Sequence, residues 1–301
     1  MSTSYSLRFR RRPPAALATA AAIVLVAVHP GPAAAQRGRG GAAGPLRDAS
    51  QLDVDGKTAQ ARAIYQAVLD TSSDPAARAN VQRAIAMSYA FDGDCANTAR
   101  YEDMVIDYWK TRERAEPQNA FYQEGEMADE GARVCIDAGD LDAAEHWYRM
   151  GYELGTREPA PRTHPRSLWD YRLAHALGRI AARRGNKAEA ERQIANARAA
   201  LDGDSAMAAQ QERFFPYLVG YVALYTGDLP AAESEFSKML AMRGNQNDPF
   251  MTCLLAMTYE KLGDRAKADT LYRKAYDLAR AHNPPAAFVR PFVRKKLGQG
   301  G

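Results

Sequence analysis

The chain has 301 residues, 46% of them hydrophobic and 25% charged, which is enough apolar material for a sizeable core. Its formal charge of +4 equals the contribution of Arg8, Arg10, Arg11 and Arg12, which stand in a leading segment with no acidic residue. The remainder is therefore balanced, which excludes whole-protein attraction to nucleic acid as the basis of function and leaves only local patches.

Residues 1–35 read as a secretory signal. The arginines are followed by the apolar run 15–28, broken only by Thr19, and then by Pro30, Pro32 and the small residues Ala33, Ala34 and Ala35 before Gln36. A run of about fourteen residues is short for a bilayer span, so cleavage is expected, with an uncleaved anchor as the alternative. The arginine pair lacks the residues that normally follow it in a twin-arginine signal, and no cysteine stands near the cleavage site; the general export route is expected rather than a lipoprotein route. With the Ala- and Arg-rich composition, this predicts a bacterial periplasmic location. Residues 36–45, rich in Gly and Arg, are predicted to be a flexible leader.

From residue 46 to 282 one corner recurs six times, at Gly56, Gly93, Gly139, Gly185, Gly227 and Gly263, with spacings of 37, 46, 46, 42 and 36 residues. Asp or Asn follows the glycine in all but the first. Seven residues before each stands Ala49, Ala86, Ala132, Gly178, Gly220 or Ala256; five after stands Ala61, Thr98, Ala144, Ala190, Ala232 or Ala268. Nine after stands Tyr65, Glu102, Tyr148, Ile194, Phe236 or Tyr272, with Tyr101 one place early in the second unit, where a local shift is expected to restore the aromatic match. A left-handed glycine ends one helix, the acid or amide caps the next, and the small residues let the two helices approach closely. Such a hairpin cannot bury its apolar face alone, so neighbours must stack.

Asp74-Pro75 and Asp248-Pro249 mark helix starts, and Pro117 and Pro165 are expected to stand in the first turn of theirs. Pro159, Pro161 and Pro165 mark an inserted loop, Pro216 is expected to kink a helix from within, and the first unit has room for only a short leading helix after Pro45.

The stretch "LAMTYEKLGDRAKADTLYRKA" resembles a tetratricopeptide repeat, with Ala256, Tyr259, Gly263, Ala268, Tyr272 and Ala275 on the small, aromatic and turn positions of that family. The resemblance extends over roughly residues 46–282 and implies an all-α solenoid of about six stacked hairpins, with longer central helices than the family's usual repeat of about 34 residues. It also implies a concave groove, lined by the leading helices, in which a protein or peptide partner lies.

Projected onto that groove, the second unit contributes Asn80, Arg83 and Met87; the third Glu126, Asp129, Arg133 and Asp137; the fourth Arg172, His175, Arg179 and Arg183; the fifth Phe214, Tyr217, Tyr221 and Tyr225; and the sixth Phe250, Met257 and Glu260. Arg83, Arg172, His175, Arg179, Phe214, Tyr217, Tyr221 and Tyr225 are the candidate peptide-binding residues, since guanidinium forks hold carboxylates and tyrosine offers apolar area with a polar tip. Solvated charges and tyrosines packed between helices are the competing reading.

Cys95 and Cys135 fall at the same end of neighbouring hairpins and are either a disulfide pair or two buried thiols; Cys253 reads as a small buried hydrophobe. His146, His164, His175 and His282 are scattered, and no catalytic, metal-binding or cofactor-binding signature is present. Residues 283–301 are expected to form a terminal helix, with Phe288, Val289, Phe292 and Val293 covering the sixth unit. Arg290, Arg294, Lys295 and Lys296 make that tail basic, and contact with anionic lipid is the alternative to simple capping. The function expected is a non-enzymatic exported adaptor for a protein or peptide, without nucleic acid. The alternatives are a structural subunit of a membrane-associated envelope assembly and an enzyme whose residues hide in the loop 156–166.

Overall fold

A computed structural model describes residues 44–298. The expected signal segment lies outside them, as does the leader up to residue 43. The described chain folds as helical hairpins. The first pairs α1 (Pro45–Val54) with α2 (Thr58–Thr71), the second α3 (Pro75–Phe91) with α4 (Cys95–Lys110), and the third α5 (Pro117–Ala138) with α6 (Leu141–Gly155). The fourth pairs α7 (Arg166–Arg183) with α8 (Lys187–Gly203). A short α9 (Ser205–Gln211) and a 3-10 turn (Glu212–Phe214) lead into the fifth, α10 (Phe215–Thr226) with α11 (Leu229–Ala241). The sixth pairs α12 (Pro249–Leu262) with α13 (Arg265–Leu278), and α14 (Pro284–Lys296) follows.

All six corner glycines have positive φ, from 69° at Gly93 to 92° at Gly139. Asp94, Asp140, Asn186, Asp228 and Asp264 then each accept a hydrogen bond from the backbone N–H three residues on, capping the second helix of the hairpin. The small residues lie at the closest approach: Ala49, Ala86, Ala132 and Ala256 are fully buried. At Gly220 an added Cβ would stand 2.8 Å from the Phe236 ring, so this pair of helices can approach only over glycine. The long third and fourth units are joined by Trp169 of α7, 1% exposed, whose ring occupies the space that a Cβ would need at Gly125 of α5 and at Gly155 of α6.

Glu102 itself holds the aromatic position of the second unit, completely buried, and no shift brings Tyr101 there; Tyr101 instead stacks on Tyr89 with ring centroids 5.7 Å apart. Both Glu102 carboxyl oxygens lack a hydrogen-bond partner among the described residues, and burial, reinforced by Glu130, pushes the carboxyl well above its ordinary range. A protonated carboxyl is the form that can occupy such a site. Pro216 does not kink a helix. It stands in the first turn of α10, because the chain breaks at the 3-10 turn before it and its missing N–H costs nothing there. Pro165 serves as the N-cap of α7 rather than lying within its first turn.

Helix α14 does more than cover the last hairpin. Val289 and Val293, both fully buried, join one apolar cluster with Cys253 and Tyr272 of the sixth hairpin, Val54 of the first, Met87 and Phe91 of the second and Val134 of the third. Arg290 Nε and Arg294 Nη2 donate to the Val54 carbonyl at 2.9 and 2.8 Å. That carbonyl ends α1 and lacks an intrahelical partner, so two cations on one orphan acceptor also suit the negative end of the helix. The C-terminal segment thereby links the last hairpin to the first and closes the superhelix. The basic tail is turned largely inward: of its four cations, Lys296 pairs with Glu260 at 2.8 Å, and Lys295 remains exposed without an ion pair among the described residues.

Cys95, the first residue of α4, and Cys135 of α5 are joined by a disulfide, which ties the second hairpin to the third, and Cys253 is a buried free thiol. The loop between α6 and α7 is held from within. Glu158, 1% exposed, accepts from the backbone N–H groups of Thr163 and His164 and contacts the His164 ring at 3.1 Å, while that ring stacks on Tyr122 at 3.8 Å.

Candidate functional site

Helices α5, α7 and α10 meet along one stripe each, at the three- and four-residue spacings that place side chains on a common helical face. Helix α5 brings Glu126, Asp129, Arg133 and Asp137, α7 brings Arg172, His175, Arg179 and Arg183, and α10 brings Tyr217, Tyr221 and Tyr225.

At one end Arg172 pairs with Glu126, its guanidinium 5.5 Å from the Tyr122 ring centre and 4.9 Å from that of Trp169. Burial alone would raise the Glu126 carboxyl, but Arg172 and then Arg133 hold it below its ordinary range. In the middle Arg179, 5% exposed, donates Nη1–H to the Tyr217 hydroxyl at 2.8 Å and Nη2–H to the Tyr148 hydroxyl at 2.9 Å. At the other end Arg183 donates to the Tyr221 hydroxyl at 3.3 Å and lies 4.9 Å from the Tyr225 ring centre. His175 is buried, with Nε2 at 3.4 Å from the Phe214 carbonyl. Burial and the adjacent Arg179 push it well below its ordinary pKa, so it is a neutral ring whose Nε2–H faces that carbonyl.

The arginines are unequal. Arg172 has a carboxylate partner, whereas Arg179 and Arg183 rest on neutral hydroxyls. Arg133, half-buried beside Tyr148, Arg179 and Tyr217, has no ion pair among the described residues. The nearest acids compensate only in part. Burial pushes Asp129 and Asp137 up to about 7 against the pull of the surrounding arginines, so near neutral pH each carries only part of a charge. The inner face is consequently a cationic and phenolic surface, with Arg133, Asp137, Arg183, Tyr217 and Tyr225 all partly accessible.

Of the eight candidates, Arg172, His175, Arg179, Tyr217, Tyr221 and Tyr225 come together here. Their roles divide, because His175, Arg179 and Tyr221 are buried supports while Tyr217 and Tyr225 retain exposed surface. Arg83 stands apart, committed to the buried Glu130. Phe214 contributes its carbonyl and keeps its ring under Arg213. Tyr148 had no place among the sequence candidates, since its position nine residues after a corner glycine marks it only as packing between hairpins. Among the described residues no group of His, Cys, Asp or Glu side chains is arranged to hold a metal ion.

Residues 252–282, spanning most of α12 and α13, match the family model of the tetratricopeptide repeat. This match supports a tetratricopeptide-repeat protein. The match covers one hairpin, and the other five carry the same glycine corner and the same close helix approach. No curated protein matches the chain. The tetratricopeptide repeat supports a role in protein interaction, and proteins built from it typically act as scaffolds rather than catalysts. What sets this solenoid apart from an open array is α14, which lies across hairpins one, two, three and six.

Proposed function

We propose that the protein is an exported, non-enzymatic adaptor of a bacterial periplasm, and that it holds an acidic segment of a protein partner on the inner face of its solenoid. The observation that carries this reading is the incomplete neutralisation of Arg133, Arg179 and Arg183 on a partly accessible face. Guanidinium groups held in place by tyrosine hydroxyls are already oriented for carboxylates, so little side-chain entropy remains to be lost on binding. The cleavable signal expected over residues 1–35 supports the location, and the disulfide fits an oxidising compartment. The alternative, a membrane-associated assembly subunit acting through a basic tail, has less support, since Arg290, Arg294 and Lys296 are engaged within the fold.

A photo-crosslinking residue placed at Tyr225 on the inner face, and separately at the exposed Glu191 on α8, tests this in cells that naturally carry the protein. A discrete adduct is expected at position 225 and not at 191, and Arg183→Glu in the same chain should abolish it. Equal labelling at both positions, or an adduct indifferent to the charge reversal, would sink the reading. Cell fractionation checks the location, and retention in the cytoplasm would count against export.

A further inference from the structure

We propose that the interior closed by α14 is also a small-molecule site, taking a small amphipathic acid: an anionic head on the partly accessible Arg133 and Arg183, with the buried Arg179 adding to the field, and an aromatic or branched apolar body against Phe288 and Phe292. This goes beyond the adaptor reading and does not depend on it.

Three observations converge. The first is the cationic cluster, whose three guanidinium groups have hydroxyls or no partner where a buried charge calls for a counter-charge. The second is an aromatic ladder leading away from it. Ring centroids run from Tyr221 to Tyr217 at 5.9 Å, to Phe250 at 5.9 Å, to Phe288 at 5.2 Å and to Phe292 at 5.1 Å, so α14 continues a wall begun on α10. The third is a cavity of about 250 Å³ between α14 and the C-terminal ends of α3 and α5, with Val134, Asp137, Ala287, Phe288, Phe292 and Lys295 in its lining.

Two sets of residues connect these features. Phe288 and Phe292 belong to both the ladder and the cavity, and Asp137 lines the cavity while standing in the field of Arg179, Arg133 and Arg183. Among the described residues no arginine lines the cavity itself; the guanidinium cations stand behind Asp137 at its edge, with the apolar slot on the other side. The volume is slightly below the usual range for drug-sized ligands, which suits a compact acid rather than an extended peptide. An acid seated there would share Arg133 and Arg183 with the partner segment proposed above and would compete with it.

The test uses the disulfide-bonded chain from residue 36 onward, titrated calorimetrically with 3-phenylpropionate, with the isosteric alcohol 3-phenylpropanol, and with acetate, which has the head but no body. Saturable binding of 3-phenylpropionate is expected, with the alcohol and acetate weaker by about tenfold or more. Arg133→Gln should fold normally, since Arg133 has no ion pair to lose, and should weaken the acid about tenfold without strengthening the alcohol. Phe288→Leu, with helicity checked by circular dichroism, should weaken acid and alcohol alike and leave acetate unchanged. Equal affinity for acid and alcohol, no saturable heat with 3-phenylpropionate, or an Arg133→Gln chain that binds as the unaltered protein does would overturn the proposal.

Discussion

His282 Nε2 lies 2.8 Å from Asp53 Oδ2, across 229 residues of sequence. Asp53 is completely buried and also accepts from Ser88 Oγ at 2.6 Å and from the Tyr65 hydroxyl at 3.2 Å, while the His282 ring stacks on Phe91. One carboxylate thus gathers the first hairpin, the second and the segment before α14. The two arginines on the Val54 carbonyl, one residue further along α1, act at the same junction.

Asp53→Ala should therefore cost more than an ordinary buried contact. Ser88 Oγ would lose its acceptor and His282 its carboxylate partner, at about 1–3 kcal/mol for each orphaned group, while the Tyr65 hydroxyl keeps Ser50 Oγ at 3.0 Å. We expect a loss of about 3 kcal/mol or more in urea unfolding, together with faster amide exchange in α1 and α14 than in α7 and α8. Uniform exchange across all hairpins would mean that Asp53 does not hold the closure.

Removal of the disulfide should destabilise the chain through the unfolded state. Cys95 and Cys135 are separated by 40 residues, and freeing a loop of that length is worth about 4 kcal/mol on the chain-entropy estimate. The paired Cys95→Ser and Cys135→Ser chain should lower the urea midpoint accordingly. In the oxidised protein, thiol titration should find Cys253 alone, and only after unfolding, since it is buried.

Buried carboxyls on and against α5 should make stability fall as pH rises. Burial, followed by the neighbouring Glu113, raises Glu124 to about 7 from an ordinary value of 4.5, and Glu102 is raised well above the same value by burial and then Glu130. Below the ordinary value both the folded and unfolded states hold the proton, and the stabilising contribution of the neutral form is complete. Above it, unfolding releases a proton that the fold retains, so stability declines until the folded carboxyl also ionises. Urea midpoints followed across this range should slope downward between the ordinary value and about 7 in the natural chain, and less steeply in Glu124→Gln. Glu102→Gln should flatten the slope further toward alkaline pH. An identical pH profile in all three chains would contradict the neutral state of these groups.

Two glycines should respond to alanine for different reasons. At Gly220 the added methyl meets the Phe236 ring at 2.8 Å, an overpacking expected to cost about 1–3 kcal/mol. At Gly227 nothing lies within 4 Å, but φ is +91°, so the penalty is conformational and about 1 kcal/mol. Combining Gly220→Ala with Phe236→Leu should recover part of the first loss, whereas Gly227→Ala should gain nothing from that partner. Thermal unfolding of the four chains measures both.

The hairpins were legible in the sequence because the physics that makes them is local. A left-handed glycine, an acid one residue on and a small residue seven before act within one turn and its two helices, so Gly227, Asp228 and Gly220 carry their roles in the text itself. The same holds for the helical stripe of Tyr217, Tyr221 and Tyr225, which follows from spacing alone. Tertiary structure decided what faces that stripe. Whether Arg179 meets a carboxylate or two phenols depends on Tyr148 and Tyr217, on different hairpins, and whether Glu102 is charged depends on what surrounds it once α5 packs against α4. The closure of the superhelix by α14 is the least local feature of all. Phe288, Val289, Phe292 and Val293 announce an apolar face, but the curvature summed over six hairpins brings Val54, Asp53 and Val134 within reach of that face, and small rotations at each corner accumulate in a way that no single corner motif encodes.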